Sequence, residues 1–184
     1  MSDHGWAVGT TEVAFVPTVT SIYPTAGPLG GGRTVTISGT GFARGEQVLI
    51  GGAIASSVVI VDGSTMTATV PAGAEAAAVQ LVVGTATTTS GPTYTYLPAP
   101  VVSAVSPSSG SVGGGASIEV TGAWFEANMS VSIGGQSASN LVLEDATHYR
   151  CTVPSSPSAG AEDVVVTTRG GSSIVQASDQ FFYL

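Results

Sequence analysis

From residue 17 onward, apolar and polar positions alternate in short runs separated by glycine, proline and other turn residues. Residues 33–38 set the pattern: Val35 and Ile37 alternate with Thr34, Thr36 and Ser38. A period of two turns one side of the run toward a core and the other toward water, as a half-buried β-strand requires. On this basis strands are expected at 18–23, 33–38, 47–50, 53–61, 65–70, 78–83 and 93–97. The Gly51-Gly52 pair between the third and fourth is a hairpin signal. The Ala-rich stretch 72–79 follows Pro71 and contains Gly73, so it reads as a loop entering a strand rather than a helix. No segment carries the period of a long amphipathic helix.

The same pattern then occurs again. Pro17, Pro24 and Gly27 correspond to Pro100, Pro107 and Gly110, and the triplet Gly30-Gly31-Gly32 corresponds to Gly113-Gly114-Gly115. Gly39 and Phe42 match Gly122 and Phe125, Ile50-Gly51-Gly52 matches Ile133-Gly134-Gly135, and Thr69-Val70-Pro71 matches Thr152-Val153-Pro154. One offset of about 83 residues carries all of them, too long for a solenoid unit and right for a whole small sandwich. The second copy predicts strands at 117–121, 130–133, 148–153, 164–168 and 180–183, the last after a small insertion. Seven short strands in the first copy, with the pattern repeated in the second, point to two packed sheets. The chain is therefore expected to be all-β: two tandem immunoglobulin-like β-sandwiches, residues 17–98 and 99–184, behind an N-terminal arm of residues 1–16. The linker Leu97-Pro98-Ala99-Pro100 is short and stiffened by proline, which predicts a restricted orientation between the domains.

These motifs together (a proline-bounded strand, P-x-x-G, a glycine triplet, V-T-I-x-G-x-x-F, I-G-G and T-V-P) resemble the IPT/TIG domain, an immunoglobulin-like fold shared by plexins and some transcription factors. The resemblance covers nearly all of residues 17–184 in two copies. The second copy departs from the first at Ala123 and Trp124, where the first has Thr40 and Gly41. Domains of this family occur in surface receptors, in bacterial surface and secreted proteins, beside starch-degrading enzymes and in viral structural proteins. So wide a distribution implies a fold and leaves the function to be argued from sites.

Composition narrows that function. Among 184 residues there are four arginines, no lysine and a net charge of −8. Phosphate backbones and anionic lipid surfaces need clustered cations, so nucleic acid is excluded as a partner and membrane association is not expected. No apolar run approaches the length of a spanning helix, and the first residues lack the basic and apolar regions of a secretory signal. Cys151, the lone cysteine, shares a strand face with Tyr149 and Val153 and is expected to be a buried thiol.

No catalytic constellation is found, so the chain is expected not to be an enzyme and to carry no cofactor or metal. His148 opens a strand, His4 lies in the arm, and no Ser-His-Asp order recurs in a nucleophile-elbow context. Glu144-Asp145 and Glu162-Asp163 sit beside predicted turns, too few oxygens for calcium. The glycine triplets precede no helix and no lysine, so they are turns and not phosphate cradles. What remains are candidate partner-binding residues. Trp124 and Tyr149 are aromatics able to stack on a sugar ring or a partner, and Trp124 is equally suited to packing at the domain junction. The arm brings Trp6, Val8, Val13 and Phe15, either as a first strand of domain one or as a segment that adds to a partner's surface.

The expected function is a non-enzymatic structural or binding role. The reading placed first is a phage virion accessory protein, a capsid decoration or tail-associated protein anchored by its arm to a capsid or tail protein. The alternative is a bacterial surface or secreted module that binds protein or cell-surface glycan. Exposed edge strands leave self-association open.

Overall fold

The structure is a computed structural model that describes residues 16–84 and 91–184. In the first repeat, β1 (Thr18–Tyr23), β2 (Ala26–Pro28), β3 (Thr34–Thr40), β4 (Val48–Ile50), β5 (Ala53–Ile54), β6 (Ser56–Asp62), β7 (Thr65–Thr69), β8 (Ala78–Val83) and β9 (Thr93–Leu97) form two sheets, ordered β1-β3-β7-β6 and β2-β9-β8-β4-β5. In the second, β10 (Val101–Ser106), β11 (Ser109–Gly110), β12 (Ser117–Ala123), β13 (Ser130–Ile133), β14 (Gln136–Ser137), β15 (Ser139–Asp145), β16 (His148–Thr152), β17 (Gly160–Thr168), β18 (Gly171–Ser172) and β19 (Gln180–Tyr183) repeat it. Their orders are β10-β12-β16-β15 and β11-β19-β17-β13-β14, with β18 an added strand beside β17. The chain is all-β, and the two tandem sandwiches are immunoglobulin-like.

Each repeat closes around its own apolar cluster. Val35, Ile37, Met66, Ala68, Leu81 and Val83 are fully buried in the first, and Ile118, Val120, Tyr149, Cys151, Val164 and Val166 in the second. The shared motifs have direct physical causes. A Cβ at Gly39 would stand 1.9 Å from the Thr18 carbonyl oxygen and 2.6 Å from the Phe42 ring; at Gly122 it would stand 1.9 Å from that of Val101 and 2.5 Å from the Phe125 ring. Glycine there lets the first strand close on the second while the phenylalanine three residues on seats in the core. The T-V-P turn supplies an acceptor: the Tyr96 hydroxyl donates to the Pro71 carbonyl and the Tyr183 hydroxyl to that of Pro154, each at 2.8 Å. Each of these tyrosines meets the aromatic ring two residues before it edge-to-face, Tyr94–Tyr96 at 5.2 Å and Phe181–Tyr183 at 5.0 Å.

Two details differ from the expected strands. Residues 53–61 divide into β5 and β6, which lie in different sheets; the chain changes sheet at buried Ala55, whose N–H donates to the Val48 carbonyl at 2.8 Å. The short β2, pairing parallel with β9, was not expected from a stretch containing Gly27 and Pro28, which carries no alternation to read.

Candidate functional site

The two repeats act as controls for one another, since equivalent positions sit in equivalent structure. Their differences gather at two places. One is the outer face of the four-stranded sheets. Cross-strand register aligns Tyr23, Thr36, Thr67 and Val59 in the first repeat, and Ser106, Glu119, Arg150 and Val142 in the second. In the second repeat Arg150 bridges Glu119 at 3.1 Å and Glu144 at 3.0 Å, a solvated ion network. The first presents hydroxyls and exposed Tyr23, Val59 and Val61 instead.

The other place is the junction between the repeats. The loop leaving β12 carries Trp124 with a φ of 64°, where the loop leaving β3 carries Gly41 at 76°. A bulky side chain in the left-handed region is uncommon, because its Cβ crowds the following carbonyl. The next residue, Phe125, is buried, so the backbone turn that sends Phe125 inward sends Trp124 outward, where it is 58% exposed. The β17–β18 turn rises beside it. A Cβ at Gly170 would stand 1.9 Å from the Pro98 carbonyl oxygen of the linker, so only a glycine permits this approach. Arg169 next to it donates from Nε to Glu126 Oε2 at 2.9 Å and from its backbone N–H to Glu126 Oε1 at 2.5 Å, with Nη2 2.9 Å from Oε2 in the same ion pair. Partial burial of Glu126 opposes its charge, but these hydrogen bonds and the guanidinium charge outweigh it and hold the carboxyl below its usual range. Between these groups lies an open cavity of about 160 Å³, lined by Leu97, Pro98, Trp124, Glu126, Thr168 and Gly170 among others.

Of the residues singled out from sequence, Trp124 is at this junction. Tyr149 is not a surface residue: it points inward from β16, is fully buried, and meets Phe125 edge-to-face at 4.8 Å. Strand alternation places 149, 151 and 153 on one side, and that side is the core. Trp6, Val8, Val13 and Phe15 lie outside the described residues. Glu126, Thr168, Arg169 and Gly170 were not anticipated. The signal that could have found them is their position: Glu126 stands where the first repeat has Ala43, and 168–170 border the insertion of the second copy.

Cys151 is buried, and burial pushes its thiol up to about 11. Asp145 accepts hydrogen bonds from the Thr147 N–H and hydroxyl at 2.7 and 2.6 Å and lies 3.3 Å from His148 Nδ1. Among the described residues no three His, Cys, Asp or Glu side chains converge as a metal site, and no helix is long and apolar enough to cross a membrane.

The IPT/TIG domain family matches residues 17–96 and again residues 100–183. Fibrocystin-L of Homo sapiens is 30% identical over 178 residues, and that of Mus musculus 28% over 162, covering 90% and 80% of this chain. The chain spans only 4% of the length of either. Among solved structures, the full extracellular region of plexin A4 aligns over 99% of this chain and 17% of its own, with a TM-score of 0.55 at 19% identity.

Proposed function

We propose that this chain, which belongs to the IPT/TIG domain family, is a non-enzymatic binding module that works outside the cell or on its surface and meets its partner at the junction of its two repeats. Its domains on this reading are residues 17–98 and 99–184, with 1–16 as the arm. The observation that carries the proposal is Trp124, a half-exposed indole held at a left-handed φ where the equivalent repeat uses glycine. Backbone strain of this kind costs about 1–3 kcal/mol and concentrates at functional sites, because there the side chain does work that offsets it. Indole is also among the side chains most enriched at the centres of interfaces.

The similarity to Fibrocystin-L and to the extracellular region of plexin A4 supports the surface reading and gives the virion reading no support. The surface-module alternative therefore replaces the virion accessory protein as the main reading. The fold supports many functions, so the assignment of the binding surface rests on the site and not on the family.

The test is binding of the fluorescently labelled chain to intact cells of the source organism, with Trp124→Gly alongside. Saturable binding that falls about tenfold or more in the variant is expected, the loss typical of an interface anchor. Binding that is indifferent to Trp124 would refute the assignment of the junction.

A further inference from the structure

We propose that the junction cavity holds one neutral six-membered sugar ring, an exposed unit of a glycan; this deepens the reading above and rests on it. The cavity, about 160 Å³, is of the size that accommodates a single six-membered ring. Its lining has two chemistries. Trp124 offers an exposed indole, whose π-face is complementary to the C–H face of a pyranose. Glu126 and Thr168 offer polar atoms on the same cavity. Arg169 fixes the Glu126 carboxylate through two hydrogen bonds and an ion-pair contact, which orients it without using all its lone pairs. A preset carboxylate accepting from ring hydroxyls beside an aromatic platform is what a polyhydroxylated ring requires.

Other occupants fit less well. An apolar side chain would cover the Glu126–Arg169 pair without replacing the water it removes, and desolvating an ion pair is costly. An anionic sugar would meet Glu126, a carboxylate held in its charged form, in a chain of net charge −8, with the Arg169 charge already engaged. The first repeat lacks the site altogether, with Gly41 and Ala43 at the positions of Trp124 and Glu126.

Saturation-transfer NMR on the full chain tests this with methyl glucoside, methyl galactoside, methyl mannoside and N-acetylglucosamine as neutral probes. Glucuronate serves as the anionic probe and acetyl-leucine methylamide as the apolar one. Transfer to the ring C–H protons of at least one neutral sugar is expected, with an affinity about tenfold weaker in Trp124→Gly and a smaller loss in Glu126→Gln. Trp124→Gly installs the residue of the first repeat, so it removes the backbone strain that a truncation to alanine would keep. No transfer to any neutral sugar, transfer unchanged in Trp124→Gly, or Trp124-dependent transfer to acetyl-leucine methylamide or glucuronate alone would each overturn the sugar assignment. In those cases Trp124-dependent binding to cells would still uphold the junction as a binding site, so the two readings fail separately.

Discussion

At most positions alanine is more stable than glycine, but at position 124 the order should invert. Trp124 has a φ of 64°, a region that costs a non-glycine residue about 1–2 kcal/mol. Trp124→Ala keeps that cost, and Trp124→Gly removes it. Both lose the same indole contacts, so packing cancels in the comparison. Glycine gives back about 0.5–1 kcal/mol through the greater freedom of its unfolded chain. The remainder favours glycine over alanine by about 1 kcal/mol, or about 4–8 °C in melting temperature for a domain of this size. Urea unfolding followed by far-ultraviolet circular dichroism measures the difference. Labelling of Cys151, which is buried in the second repeat alone, assigns the transition to that repeat. Gly41→Ala is the matching control, expected to cost the first repeat about 1 kcal/mol or more because its φ is 76°. An alanine variant at 124 as stable as the glycine variant, or more so, would refute the claim that the indole is held against backbone strain.

Four further outcomes follow from the same geometry. Gly170→Ala should alter the mutual arrangement of the repeats while each stays folded, since its Cβ would stand 1.9 Å from the Pro98 carbonyl oxygen; small-angle scattering with urea titration separates the two effects. Hydrogen bonds from Thr147 hold the exposed Asp145 carboxyl at about 2 against an ordinary 3.8. A carboxyl lowered on folding contributes stability above its unfolded pKa and loses it as pH falls through the folded one, so Asp145→Asn should flatten the acid limb of the stability profile between about pH 4 and 2. Cys151 should resist Ellman's reagent at pH 8 in the native chain and react on unfolding, because burial keeps it a thiol there. Arg150→Thr, the residue of the first repeat at Thr67, should change stability by less than about 1 kcal/mol, because its ion pairs are solvated; urea unfolding checks it.

The duplication made most of the fold legible. Alternation in 33–38 and 117–121 identified the buried sides correctly, and the G-x-x-F and T-V-P motifs proved to be a close strand contact and a tyrosine acceptor. Alternation also places Tyr149 on the buried side with Cys151, and a partner-binding role for it sets residue type above period. Shorter pieces escaped for a physical reason. A three-residue strand such as β2 has no period, and the sheet change at Ala55 is set by the packing of both sheets at once. Glu126 and Arg169 are 43 residues apart, and nothing local in either marks the other. Their pairing exists only once the β17–β18 turn reaches the loop after β12.

That turn bears on what the indole does. Gly41 shows that the loop after the second long strand needs a left-handed residue and no side chain to bring the following phenylalanine inward. The fold of a repeat therefore does not call for Trp124, and the strain it carries must be offset by contacts beyond its own sandwich. Two such partners are within its reach: the linker residues Leu97 and Pro98, which line the same cavity, and the ligand proposed for that cavity. They separate experimentally. If the indole serves as a wedge between repeats, Trp124→Gly and Gly170→Ala should disturb the same inter-repeat distances in scattering, and ligand binding should follow the geometry. If it serves as a binding platform, Trp124→Gly should abolish binding with the arrangement of the repeats intact, which is the outcome a 58% exposed indole favours.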